Sequence, residues 1–206
     1  MQLQLTAVGQ VPSARVTGTP NLAGLSLGEA AVSEVMPRYA TLAAAGQLFS
    51  ARAALQATSL AGTAMVGLQV WNRTTAKNLV VIAVGGNVVA TSATQTGVAL
   101  AFGMQGTAAP TGQTAATSAI NNLIGGAAPA ALALNAGTFA NAPVNQVDLL
   151  HNTAAIGTTG EDPGYFLDLG GAYVVQPGYF LAFTALGAAG AASSNNHWIM
   201  WAEVPV

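Results

Sequence analysis

Residues 78–147 run for 70 positions without a single Lys, Arg, Asp or Glu, and a second run, residues 169–202, lacks them as well. About a quarter of the residues in a water-soluble domain are normally charged, whereas the fraction here is 6%. Charged side chains keep a free protein dissolved and separate from its neighbours. A chain that omits them either hides much of its exterior against other chains or relies on Thr, Asn, Gln and Ser for its contact with water. The expectation is a building block of an assembly, joined through uncharged, small-residue surfaces.

Several function classes are disfavoured on the same grounds. Five basic and seven acidic side chains leave a net charge of −2. Arg15, Arg38, Arg52, Arg73 and Lys77 form no run, and nucleic-acid binding needs clustered cations to neutralise phosphates. Without Cys there is neither a disulfide nor a thiolate metal site. The longest strongly apolar block, residues 79–90, contains Gly85 and Gly86, and a spanning helix needs about 20 apolar residues. A membrane β-barrel would show aromatic girdles, yet aromatic residues make up 6%. The opening MQLQLTAVGQVPSARV has no basic start leading into an apolar block, so it does not read as a secretory signal. Neither nucleic acid nor membrane is expected as a partner.

A chain of 206 residues fits one domain. Residues 1–28, punctuated by Pro12, Gly18, Pro20, Gly24 and Gly28, read as an extended N-terminal arm. Residues 29–206 read as the domain proper. A short strand is expected over 30–35, then a helix opening at Pro37 (PRYATLAAA) and ending before Gly46. Strands are predicted over 47–53, 64–71, 78–84, 88–91 and 97–104, with weaker ones at 130–134 and 145–150. Gly85-Gly86-Asn87 either reverses the chain or bulges one longer strand. Residues 105–128 read as a long loop with one helical turn at INNLI, and 157–164 as an exposed turn-rich loop. Four strands close the chain, at 165–169, 172–176, 179–186 and 197–204, with Pro177-Gly178 as a tight turn. Eight to ten short strands with little helix predict an all-β fold: a single jelly-roll-like β-sandwich with one short helix.

Two of the closing strands are apolar on both faces. Tyr179, Leu181 and Phe183 alternate with Phe180, Ala182 and Leu186, and Trp198, Met200 and Val204 alternate with Ile199 and Trp201. A strand covered on one face should alternate apolar with polar. A second subunit is therefore expected over the other face. The expected contact residues are Leu3, Leu5 and Val8 in the arm, with Tyr179, Leu181, Phe183, Trp198, Met200 and Trp201 in the final hairpin.

No constellation for catalysis emerges. Gly24-Leu25-Ser26-Leu27-Gly28 matches a hydrolase nucleophile pattern, with Asp148, Asp168 and His197 following in serine–acid–histidine order. That pattern carries meaning at a strand-to-helix elbow of an α/β chain, and here it sits in a Gly/Pro-rich arm; Ser26 with Glu29 reads better as a helix cap. Asp148 and His151 have the spacing of a shared helical face, but a metal site needs three or four ligands. Glu161 and Asp162 are adjacent in a loop and point apart in extended chain. Trp71, Trp198 and Trp201 suggest sugar stacking, although the last two lie on opposite faces of one strand, which favours packing. Asn72-Arg73-Thr74 fits the glycosylation acceptor pattern. Neither a cofactor nor a metal is expected, and the chain reads as a non-enzyme.

VSEVMPRYATLAAAGQLFSARA (residues 32–53), YVVQPGYFLAFTA (residues 173–185) and the closing HWIMWAEVPV resemble stretches of tailed-bacteriophage structural proteins. The whole chain is similar to their small Ala/Gly/Thr-rich virion components, which form decoration, cement or spike-like parts. The resemblance brings no catalytic residues. It implies a place in the virion, and with the missing charge it leads to a specific expectation: a homo-oligomer, with a trimer as the expected state, packed on the major capsid protein at the capsid surface. The alternative is a receptor-binding tail spike or fibre tip, with the loops at 105–128 and 157–164 facing a cell-surface glycan.

Overall fold

Among the described residues one short helix, α1 (Ala40–Ala44), stands where the Pro37 signal predicts one; Gly46 follows it with φ 66°. The computed structural model describes residues 39–53, 59–61, 63–90, 97–116, 118–151, 164–185 and 194–206. The expected arm and the strand over 30–35 lie outside them. The chain divides into two compact units, Met1–Ala45 and Gly46–Val206. Within the first unit α1 is the described element.

The second unit is an all-β sandwich of two antiparallel sheets. One sheet runs β10 (Gly164–Val175), β4 (Lys77–Ala90), β12 (Ser194–Pro205), β1 (Leu48–Arg52) and β7 (Ser118–Asn121). The other runs β6 (Thr111–Ala115), β8 (Leu132–Thr138), β3 (Ala64–Trp71), β11 (Tyr179–Ala185), β5 (Gly97–Met104) and β9 (Val144–His151), with β2 (Ser59–Ala61) also pairing β3. With β2 and the β6–β8 segment set aside, the first sheet reads β1-β12-β4-β10 and the second β3-β11-β5-β9. First and last strands are thus neighbours, and successive connections mostly cross between sheets.

Alternation places the core. Phe49, Val81, Ile199 and Trp201 from the first sheet meet Val70, Leu100, Leu181 and Phe183 from the second, all buried. Burying side chains of this size contributes about 1.5–3 kcal/mol each. Leu181, Phe183 and Trp201 are therefore not a contact surface, which corrects the expectation for them: they are fully enclosed within one chain.

A second correction concerns the other face of β11. Phe180 and Ala182 pack there with Met65, Trp71, Leu134 and Phe139. The covering comes from the chain's own connections, not a second subunit. Gln105 bridges two of them: Nε2 donates to the Ala108 carbonyl at 2.7 Å and Oε1 accepts from the Ala140 N–H at 2.6 Å. Pro110 and Pro143 are buried in the same connections. Much of the charge-free stretch is thus interior to a single subunit. Amides take over the polar work, with Gln69, Asn72, Gln105, Asn121 and Asn135 all buried.

Other boundaries shift for local reasons. β4 runs straight through Gly85-Gly86-Asn87 without reversing. β10 is one strand where two are predicted, with its register interrupted between Asp168 and Tyr173 around Gly170 and Gly171. Residues 105–128 hold β6 and β7 where a loop is predicted; β6 (TGQTA) is exposed at every position, so it carries no apolar alternation to read. At Pro177-Gly178 the predicted turn is present: the Tyr179 N–H donates to the Gln176 carbonyl at 3.1 Å, and Gly178 takes φ 80°, where a side chain would be strained. No helix among the described residues is long and apolar enough to cross a membrane.

Candidate functional site

The β10-β4-β12-β1 order lines up residues from four strands in one transverse row. Arg52 pairs with Trp198, Trp198 with Gly85, and Gly85 with Phe166. All four side-chain positions lie on the outer face, since Ala51, Val84, Tyr165 and Ile199 beside them belong to the core cluster. Gly85 is what lets the row lie flat. A Cβ at that position would sit 2.7 Å from three atoms of the Trp198 indole. The indole rests on bare backbone, an arrangement in which an aromatic covers a strand glycine. Phe166 approaches from the other side, its ring centroid 5.8 Å from that of Trp198 and tilted by 36°. Phe166 is 67% exposed.

The adjacent row faces inward. Gly86 pairs with both Tyr165 and His197, and a Cβ on it would meet the Asn196 carbonyl at 2.6 Å and His197 Nδ1 at 2.8 Å. The Tyr165 hydroxyl lies 2.6 Å from His197 Nδ1. The imidazole stacks on Phe183 at 4.6 Å and 2° and is fully buried. Burial holds the imidazole neutral, its pKa pulled from 6.5 down to about 3, and pushes the Tyr165 phenol well above its usual range. Both shifts favour uncharged forms, so the phenol keeps its proton and shares a neutral hydrogen bond with Nδ1. A histidine held this way is a poor base at neutral pH, and this one is enclosed in the core.

Between the two rows opens a shallow depression of about 400 Å³, lined by Arg52, Asn87, Tyr165, Phe166, Asn196 and Trp198. Arg52 Nε donates to Asn196 Oδ1 at 2.7 Å, which fixes the guanidinium beside the indole. The site therefore combines flat apolar rings, carboxamides with both donor and acceptor capacity, and one cation.

The other residues singled out from the sequence are distributed as follows. Leu3, Leu5, Val8, Ser26, Glu161 and Asp162 lie outside the described residues. Tyr179 is exposed on a rim, while Trp198 and Met200 are half-buried on the outer face of the first sheet. Asp148 and His151 lie on β9, a strand, so the helical face they were expected to share does not exist. Trp71 is buried under the second sheet's outer cluster, its indole N–H 3.3 Å from the Gly106 carbonyl; with Trp198 and Trp201 on opposite faces, the three form no common platform. Asn72 is fully buried, and its amide is committed: Nδ2 donates to the carbonyls of Lys77 and Val175 at 2.8 and 2.9 Å, and Oδ1 accepts from the Thr74 hydroxyl at 2.6 Å. In the folded chain this side chain is a strut, not a glycan acceptor. No group of three or more His, Asp or Glu side chains comes together among the described residues.

Two features were missed. Arg52, Asn87, Phe166 and Asn196 join Trp198 only through strand pairing, and the adjacent glycines were the one local trace. Glu203 is a buried carboxylate that accepts from Lys77 Nζ at 2.9 Å and from the Ala131 N–H at 2.9 Å; its position in an apolar strand was the available signal. No protein-family model, no curated protein and no solved structure matches the chain.

Proposed function

We propose that the chain is a non-enzymatic structural protein of a bacteriophage particle, a decoration or cement subunit that works as a homo-oligomer, with a trimer as the expected state, packed on major capsid protein subunits. The observation that carries this reading is an uncharged apolar rim along one side of the sandwich. Met104, Val144, Val174 and Tyr179 there are between 41% and 61% exposed. Tyr179 pairs with Met104 and Val144 with Phe102, and Phe102 stacks on Tyr173 at 5.2 Å. A cleft of about 370 Å³ opens between Phe102, Tyr173, Val174 and Tyr179. Contiguous apolar surface of this kind marks interaction sites, and a neutral cleft fits an equally neutral side chain from a second copy. The strand order supports the same reading: β1-β12-β4-β10 and β3-β11-β5-β9 are the two orders expected of a jelly roll, an architecture used by capsid proteins. That link from wiring to role is one of analogy.

Light scattering on the purified chain in dilute buffer tests the proposal, alongside a Val174→Lys/Tyr179→Lys double variant. An oligomer that falls to a monomer when the lysines are introduced supports it. A wild-type monomer at high concentration overturns it, and an oligomer indifferent to both lysines removes the rim from it. The receptor-binding alternative is favoured by one observation, the ring-and-amide depression around Trp198. Negative-stain images separate the two, since cement covers the head and an adhesin sits at one vertex or on the tail.

A further inference from the structure

We propose that the depression around Trp198 is a saccharide-binding site, in which a pyranose ring stacks on the Trp198 and Phe166 faces while its hydroxyls are held by Arg52, Asn87 and Asn196. This inference is independent of the assembly proposed above and uses a different set of residues.

The composition of the site selects the ligand. A pyranose presents an apolar C–H face and, around its edge, hydroxyls that each donate and accept. Stacking that face needs a flat exposed ring, and Trp198 is held flat because Gly85 beneath it has no side chain. Phe166, tilted by 36° to it, gives the pair a shallow V instead of a single plane, a shape that suits a puckered ring better than a planar base. The edge needs groups that both donate and accept, and carboxamides are the side chains that carry both on one planar head. Asn87 and Asn196 line the depression. Arg52 is pinned by its Nε–H bond to Asn196 Oδ1 at 2.7 Å, and among the described residues its remaining N–H donors are uncommitted. That fork suits a vicinal diol or a sugar carboxylate. Pre-positioning by the Asn196 bond lowers the ordering cost of binding.

Competing ligands fit less well. A phosphate polymer requires several cations in register, and Arg52 is the one charged residue lining the site among those described. An apolar peptide side chain would bury the guanidinium and both amides without replacing their contacts with water, which costs free energy. Catalysis is not part of the proposal, because no carboxylate lines the depression among the described residues and the neighbouring imidazole is sealed in the core.

Saturation-transfer NMR on the intact chain tests the inference with five probes: glucose, galactose, mannose, N-acetylglucosamine and N-acetylneuraminic acid. At least one should receive saturation, strongest at its ring C–H protons, and should change tryptophan fluorescence. Preference for N-acetylneuraminic acid assigns the guanidinium to a carboxylate; preference for a neutral sugar assigns it to a diol. Trp198→Ala and Arg52→Ala should each weaken binding about tenfold or more, with Tyr179→Ala on the distant rim leaving it unchanged. Should Trp198→Ala fail to fold, Phe166→Ala serves, since that ring is mostly in solvent. Absence of transfer to all five probes, or transfer undiminished in folded Phe166→Ala and Arg52→Ala, overturns the proposal. So does Phe166→Ala altering the oligomeric mass while leaving sugar binding intact, which makes the face an assembly contact.

Discussion

The Tyr165 hydroxyl and His197 Nδ1 stand 2.6 Å apart across a backbone that has no side chain between them, because Gly86 lies at the crossing point. The pair closes the core beneath the outer-face depression and makes the fold sensitive to acid.

His197 has a native pKa of about 3 against an ordinary 6.5. The unfolded chain binds this proton below pH 6.5 and the folded chain does not, so stability is complete above 6.5 and falls as pH drops from 6.5 toward 3. The slope approaches about 1.4 kcal/mol per pH unit, or about 2 kcal/mol by pH 5, a range in which exposed carboxylates stay ionised. Urea unfolding at pH 7 and pH 5 measures the difference. His197→Gln should be less stable at pH 7 and nearly flat between the two; a wild-type protein as stable at pH 5 as at pH 7 contradicts the buried neutral imidazole.

Substituting the adjacent glycines should separate two kinds of crowding. Gly85→Ala meets the Trp198 indole, a side chain that can swing into solvent, so fluorescence should shift with a loss of about 1 kcal/mol or less. Gly86→Ala meets the Asn196 carbonyl at 2.6 Å, a backbone atom inside a ladder, and should cost about 2–3 kcal/mol. Thermal melts of the two variants give the ranking, and equal losses would count against it.

Glu203→Ala should destabilise by about 2–4 kcal/mol, since it strands the Ala131 N–H, releases Lys77 and leaves a cavity. Glu203→Gln should lose less, because its carbonyl still accepts from Ala131 at the position now 2.9 Å away. Denaturant midpoints for both variants check the order; a glutamine as damaging as alanine would show that the ion pair with Lys77 matters more than the Ala131 bond.

Asn72→Asp is nearly isosteric, yet it turns two donors into a carboxylate oxygen facing the Lys77 and Val175 carbonyls. Leaving those acceptors unpaired beside a buried charge should cost about 3–5 kcal/mol at neutral pH. Partial recovery near pH 4, where the acid is protonated and donates again, distinguishes repulsion from simple loss of packing; circular dichroism melts at the two pH values report it.

The sequence by itself determined the class of fold and many of its elements. β3 and β5 have the predicted bounds, because apolar runs bounded by Gly, Asn and Arg state both strand and limit locally. The Pro177-Gly178 turn and the helix before Gly46 were legible for the same reason, as dihedral preferences act within a few residues. β6 was not, since TGQTA is exposed throughout and carries no periodic signal. The assignments that failed depended on partners far along the chain. Leu181, Phe183 and Trp201 could not be told from surface residues until the sheets faced each other, and the second face of β11 could not be known to be covered by connections held together by Gln105. Of the site, the sequence showed Trp198 and the Gly85-Gly86 pair as separate oddities. Only the tertiary structure decided that they form one feature with Arg52, Phe166, Asn87 and Asn196, because antiparallel register, set by the whole core, brings four distant strands into a single row.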